Sequence, residues 1–202
     1  MFADERYLAL KQIREEVVNL TESPLYDYRI ENNYFPVIGA GDHYAKIMFI
    51  GEAPGANEAQ TGMPFCGASG HVLDELLRSI DLDRDDVYIT NVVKDRPPDN
   101  RDPLKPEIEL YTPFLVRQIE LMQPEVFVTL GRFSMEFILT LFDSDKKDGK
   151  ITQIAGEVIP VETSYGKAHV LPLLHPAVAL YQGNNTTTHR KHIKALKQFI
   201  KK

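Results

Sequence analysis

The stretch Lys46-Ile47-Met48-Phe49-Ile50-Gly51-Glu52-Ala53-Pro54-Gly55 decides the fold. A short apolar run breaks at once into a turn rich in glycine and proline. Such a run, with no polar alternation, reads as a strand buried on both faces. Three more runs of this kind follow: Asp86-Val87-Tyr88-Ile89-Thr90, Glu125-Val126-Phe127-Val128-Thr129-Leu130 and His169-Val170-Leu171-Pro172-Leu173-Leu174. Helical patterns lie between them. Ser69 is expected to cap one, with Val72, Leu73, Leu76, Leu77 and Ile80 on one face. A second begins near Pro106 and carries Ile108, Leu115, Ile119 and Leu121, with a kink expected at Pro113 because that ring removes an amide donor. A third spans Phe133 to Leu141. Leu8, Ile13 and Val17 mark a helix before the sheet, and Ile193, Leu196 and Ile200 one after it. Strands alternating with helices imply a parallel sheet covered on both faces. The segment from Ile151 to Val161, with Gly149, Gly156 and Gly166 around it, reads as a hairpin or a loop excursion.

The 202 residues suit a single domain over the whole chain, 1–202. No apolar run reaches the roughly 18 residues that a membrane helix needs. The start, MFADERYLALKQIREE, lacks the basic and apolar regions of a secretory signal. A single cysteine, Cys66, permits no internal disulfide, so a cytoplasmic location is expected. Cys66 itself reads as a small buried hydrophobe. The net charge of −6 counts against a sequence-blind DNA coater but leaves room for a local basic groove. The tail from His189 to Lys202 contains no acid and reads as a solvated helix face or as a phosphate-contacting helix.

The unusual residues collect where the strands end, which is where open α/β sheets bind ligands. After the first strand come Gly51-Glu52-Ala53-Pro54-Gly55 and Gly62-Met63-Pro64-Phe65-Cys66-Gly67-Ala68-Ser69-Gly70. After the second comes Asn91-Val92-Val93-Lys94-Asp95-Arg96-Pro97-Pro98-Asp99-Asn100-Arg101, and after the fourth His175-Pro176-Ala177. Singly, each is an ordinary loop or core residue. Together they suit excision of a base, which must first leave the stack. Phe65 offers a flat stacking face. Asn91 both donates and accepts, as reading a pyrimidine edge requires. His175 and the backbone of the 51–55 turn, including Gly51 and Ala53, offer donors to a carbonyl that gains charge as the glycosidic bond breaks. Glu52 suits an oxocarbenium-like sugar or its attacking water. The helix start at Ser69 offers amides to a phosphate.

These motifs resemble those of the family 4 uracil-DNA glycosylases. Gly51-Glu52-Ala53-Pro54-Gly55 with Gly62-x-Pro64-Phe65 and Gly67-x-x-Gly70 is similar to the first motif. Thr90-Asn91-Val92-Val93-Lys94-x-Arg96-Pro97-Pro98-x-Asn100-Arg101-x-Pro103 is similar to the second, and His175-Pro176-Ala177 to the last. The resemblance runs from about Leu20 to the C-terminal helix. It implies a three-layer α/β/α sandwich around a central four-stranded parallel sheet, and hydrolysis of the uracil N-glycosidic bond in DNA. It implies Glu52 at the sugar or water, Phe65 stacking on uracil, Asn91 reading it and His175 donating to its carbonyl, with Glu58 and Asn100 also linked to the site. Lys94, Arg96 and Arg101 are the expected phosphate contacts. Leu180 is the expected wedge into the duplex, and Tyr181 stands where the family often has arginine.

The family holds a [4Fe–4S] cluster on four cysteines. Here the matching positions are Leu20, Ser23, Asp95 and Tyr111. Cluster iron needs thiolates, so no cofactor and no metal are expected, and packing of Leu20 against Tyr111 is the expected replacement. The expected partner is uracil-containing DNA, engaged by a monomer. A glycosylase for another base, such as hypoxanthine, and a non-catalytic DNA or nucleotide binder are the alternatives.

Overall fold

The structure is a computed structural model that describes residues 4–181 and 184–200, and no side chain from 181 to 186. Gln182, Gly183, Lys201, Lys202 and the Tyr181 side chain therefore lie outside the described residues. Among the described residues, β1 (Ala40–Gly41), β2 (Ile47–Gly51), β3 (Tyr88–Asn91), β4 (Val126–Leu130), β5 (Ile159–Thr163) and β6 (Gly166–Leu173) form one sheet in the order β1-β3-β2-β4-β6-β5. The four apolar runs are its centre, and they pair in parallel. The register sets Gly51 beside Asn91 and Ile50 beside Thr129, so the carboxyl ends of these strands are level.

The sheet is wider than the four purely parallel strands expected, because an antiparallel strand closes each edge. β1 pairs with β3, and β5 with β6. β5 has no continuous apolar run because it alternates: Ile159 and Val161 are buried while Pro160 and Glu162 are exposed, the pattern of a half-covered edge. Pro160 is tolerated there because an edge strand leaves one row of backbone groups unpaired. β1 is only two residues long, too short for any periodicity.

Alternate residues along each central strand feed opposite layers. Met48 and Ile50 join one core with Phe127 and Val170, beneath α1 (Glu5–Val18), α5 (Lys105–Met122) and α6 (Arg132–Leu141). Phe49 joins the other with Val128 and Leu171, beneath α4 (Ala68–Arg78) and the end of α9 (Asn184–Ile193). Shorter helices are α2 (Tyr26–Glu31), α3 (Ala56–Thr61), α7 (Ile151–Ile154) and α8 (Ala177–Tyr181). α4 is capped by Gly67 rather than Ser69, which sits in its first turn. α5 runs on through Pro113, which lies on its exposed side.

Lys94 departs furthest from expectation. It is fully buried. Its Nζ donates to Thr90 Oγ1 at 2.7 Å, to the Asn91 carbonyl at 2.7 Å and to Gln118 Oε1 at 2.6 Å. Three acceptors match the three donors of an ammonium, and burial holds its pKa well below the ordinary lysine value. Lys94 therefore touches no phosphate; it ties the end of β3 to α5. Lys94→Met keeps the length of the side chain but strands the Thr90 and Gln118 groups. It is expected to cost about 1–3 kcal/mol, seen as a thermal midpoint lowered by roughly 2–4 °C per kcal/mol.

Candidate active site

The chain leaves β2 toward β3 on one side, and leaves β4 toward β6 on the other. Loops diverging in this way open a crevice at the carboxyl edge of the sheet. A cavity of about 400 Å³ lies there, and its walls include Glu52, Ala53, Phe65, Ser69, Asn91, Arg101 and His175. These seven residues come from separate stretches of the chain at the carboxyl edge of the sheet, and all were expected at one site. Lys94, Arg96 and Leu180 are not in the lining.

Gly51 lies behind the cavity wall, and its lack of a side chain is what lets the wall form. A Cβ there would stand 2.3 Å from Asn91 Oδ1 and 2.8 Å from the Phe65 ring. Asn91 itself is 1% exposed, and its Oδ1 has no hydrogen-bond partner. A buried acceptor without a donor is costly, so this atom is unsatisfied until something in the cavity donates to it.

Phe65 is 7% exposed and adopts a left-handed φ of +50°, a conformation that a bulky residue rarely takes. Two clamps hold it. Arg84 donates through Nη1 to the Pro64 carbonyl at 3.0 Å and through Nη2 to the Phe65 carbonyl, while its Nε donates to Asp74 Oδ1 at 2.6 Å. On the far side, Glu58 Oε1 accepts from the Cys66 and Gly67 amides at 3.1 and 3.2 Å. Gly70 completes the seat, since a Cβ there would fall 1.7 Å from the Phe65 carbonyl oxygen. The Glu58 carboxylate also places negative charge ahead of α4, the side from which the helix dipole attracts an anion. Glu58 was noticed in the sequence without a definite role. Arg84 was missed, because a guanidinium that acts on backbone carbonyls 19 and 20 residues away leaves no local pattern.

His175 tilts 33° from the Phe65 ring at a centroid separation of 6.0 Å. The Ala177 amide donates to its Nδ1 at 3.1 Å. With Nδ1 accepting, the neutral ring carries its proton on Nε2. Burial, then the nearby His189, lower the pKa of His175, so the neutral form dominates at pH 7. His189 Nε2 lies 3.1 Å from the carbonyl of Leu174, the residue just before His175. Gly131 makes room for the ring: a Cβ on it would lie 3.3 Å from that of His175.

Glu52 is half-buried, and its carboxyl is pushed up to about 7. Burial is the main cause and the Asp102 carboxylate the second, partly offset by Arg132. Asp102 lies in the cavity wall, and Arg132, just past β4, approaches it at 3.9 Å. Neither was expected at the site. Arg96 donates to Asn100 Oδ1 at 2.9 Å and to the Tyr34 hydroxyl at 2.8 Å. Arg101 meets both oxygens of the buried Glu107, at 2.9 and 2.5 Å. Leu180 is 48% exposed on α8 (Ala177–Tyr181), which follows His175 and Pro176 directly.

The positions where the resemblance implies a [4Fe–4S] cluster do not fit one. They offer no thiolate, and among the described residues no group of three or more His, Cys, Asp or Glu is placed to hold a metal. Three of the four bond to one another. The Tyr111 hydroxyl donates to Asp95 Oδ2 at 2.5 Å and lies 2.8 Å from Ser23 Oγ. Leu20 is half-buried against the core that includes Tyr111, whose ring also meets that of Phe114 at 6.4 Å; the two polar bonds of its hydroxyl are additional to the apolar packing expected.

Comparison with known proteins agrees with this geometry. The family described as the Uracil DNA glycosylase superfamily matches residues 38–199. A type-4 uracil-DNA glycosylase of Archaeoglobus fulgidus is 44% identical over 174 residues, covering 86% of this chain and 84% of that one. A type-4 uracil-DNA glycosylase of Thermotoga maritima is 38% identical over 192 residues, 94% of each chain. A type-5 uracil-DNA glycosylase of Thermus thermophilus is 33% identical over 155 residues, 69% of this chain and 68% of that one. With a family match across most of its length and its cavity walls drawn from the same three motifs, the chain belongs to the uracil DNA glycosylase superfamily.

Proposed function

We propose that this protein is a monofunctional uracil-DNA glycosylase. The observation that carries the reading is the unpartnered, buried Oδ1 of Asn91, a residue that lines the same cavity as Phe65 and His175. Uracil presents an N3–H donor beside an O4 acceptor, which an amide oxygen and amide NH2 match as a pair. Cytosine presents the opposite order at that edge and would leave both groups opposed. Phe65, seated rigidly, provides the stacking face. The Nε2–H of neutral His175 donates to the O2 carbonyl as negative charge moves onto the departing base. The Glu52 carboxylate, when ionised, stabilises the cationic sugar and orients the attacking water.

Arg96, Arg101 and the first turn of α4 at Ser69 are the proposed phosphate contacts, and Leu180 the proposed wedge. Among the described residues no lysine lines this cavity, and Lys94 is sealed among three acceptors. The reaction therefore stops at an abasic site.

Incubation with a uracil-containing single-stranded oligonucleotide is expected to leave the strand intact until alkali is added, then to cut it at the uracil. An oligonucleotide that survives alkali while still being bound sinks the glycosylase reading. Asn91→Ala and His175→Ala are each expected to slow excision by on the order of 100-fold or more, the scale of a lost transition-state donor. Either variant at wild-type rate removes its residue from the mechanism.

The pH dependence has a defined sign. Burial raises the Glu52 pKa, so below about 7 the carboxyl is protonated and cannot serve. The rate at low substrate should fall as pH drops through that value. Glu52→Gln should abolish this limb, and Asp102→Asn should move its midpoint down, because the Asp102 carboxylate helps to raise it.

A further inference from the structure

The loop that follows β3 is fastened to one helix at three points. α5 presents Glu107, Tyr111 and Gln118, four and seven residues apart, which is one face of a helix. All three are fully buried. Glu107 holds Arg101, Tyr111 holds Asp95 and Gln118 holds Lys94. Lys94 and Asp95 are adjacent in the chain, opposite in charge, and both buried. Asp95 also faces Arg29 of α2 at 3.5 Å, at 1% and 3% exposure.

Burying such groups is a poor way to gain stability. Apolar side chains of similar volume usually do as well or better, because each charge must first leave water. The Asp95–Arg29 pair is an example, since Arg29 Nε and Asp95 Oδ1 reach no hydrogen-bond partner. What the polar face does provide is direction: each bond has one length and one angle. The residues that it fixes adjoin Pro97, Asn100, Arg101 and Asp102, which wall the cavity. Lys94 is bonded in turn to the backbone of Asn91.

We propose that the polar face of α5, acting through the Tyr111–Asp95 bond, is the positioning element for the 94–101 loop, in the place where relatives would carry an inorganic cluster. Tyr111 and Asp95 are positioning residues and touch no reacting atom. The activity half of this inference rests on the glycosylase reading; the half that concerns the order of the loop does not.

The test compares three variants of the full chain by hydrogen exchange and by excision kinetics. Tyr111→Phe keeps the ring in the core and deletes both hydroxyl bonds. It should speed amide exchange in 95–101 and lower kcat/KM on uracil-containing DNA by about tenfold, a loss suited to a displacement below 1 Å. Asp95→Asn still accepts from Tyr111 and should retain most of the activity. Met122→Ala damages the same helix and core eleven residues away from Tyr111, and should lower the melting temperature while leaving loop exchange and kcat/KM near wild type. Wild-type exchange in Tyr111→Phe overturns the proposal. So does Met122→Ala reproducing the losses of Tyr111→Phe. If wild-type protein excises no uracil, faster loop exchange in Tyr111→Phe alone still supports the positioning role, while the glycosylase reading fails.

Discussion

The site depends on one constraint: nothing larger than hydrogen fits on Cα of residue 51. Gly51 is the last residue of the central strand β2, and its register partner is Asn91. The amide and the Phe65 ring both fill the space that a methyl group would take. Three other side chains fix the backbone that carries these two. Lys94 fixes the backbone of Asn91 from below. Arg84 and Glu58 fix the backbone on either side of Phe65. Rigid support of this kind matters because catalysis by fixed dipoles requires that they need not move when charge develops.

Electrostatics explains why the carboxylate and the imidazole differ in state at the same pH. Both are removed from water, and burial disfavours the charged form of each. For Glu52 that means a pKa raised to about 7, with Asp102 adding to the effect. For His175 it means a pKa lowered from the ordinary value, with His189 adding to it. One environment thus yields a neutral donor beside a carboxyl close to its titration midpoint, the division of labour that acid–base catalysis needs.

The central strands and the meeting of Glu52, Phe65, Asn91 and His175 were legible in the sequence. Fully buried strands show as continuous apolar runs, and the loops after parallel strands share one edge. β5 was less legible because its alternating pattern resembles loop polarity when only apolar runs are sought. Lys94 was misread because residue type alone favours an exposed lysine; its acceptors lie on β3 and on α5, 24 residues on. Residue type makes Tyr111 an apolar filler, but its hydroxyl also bonds to Asp95 and Ser23, and no sequence pattern shows which way an oxygen points. The Arg84 clamp was invisible for the same reason: contacts to backbone carbonyls carry no residue code.

The corner formed by Ser23, Asp95, Tyr111 and Arg29 has a consequence for how the protein comes into being. Its closure uses only atoms that the polypeptide itself supplies, so the loop reaches its working shape as soon as the chain has folded. Closing it calls on no iron or sulfide, because none of these four residues carries a thiolate. The same task is thereby moved from the supply chemistry of the cell to the ribosome alone.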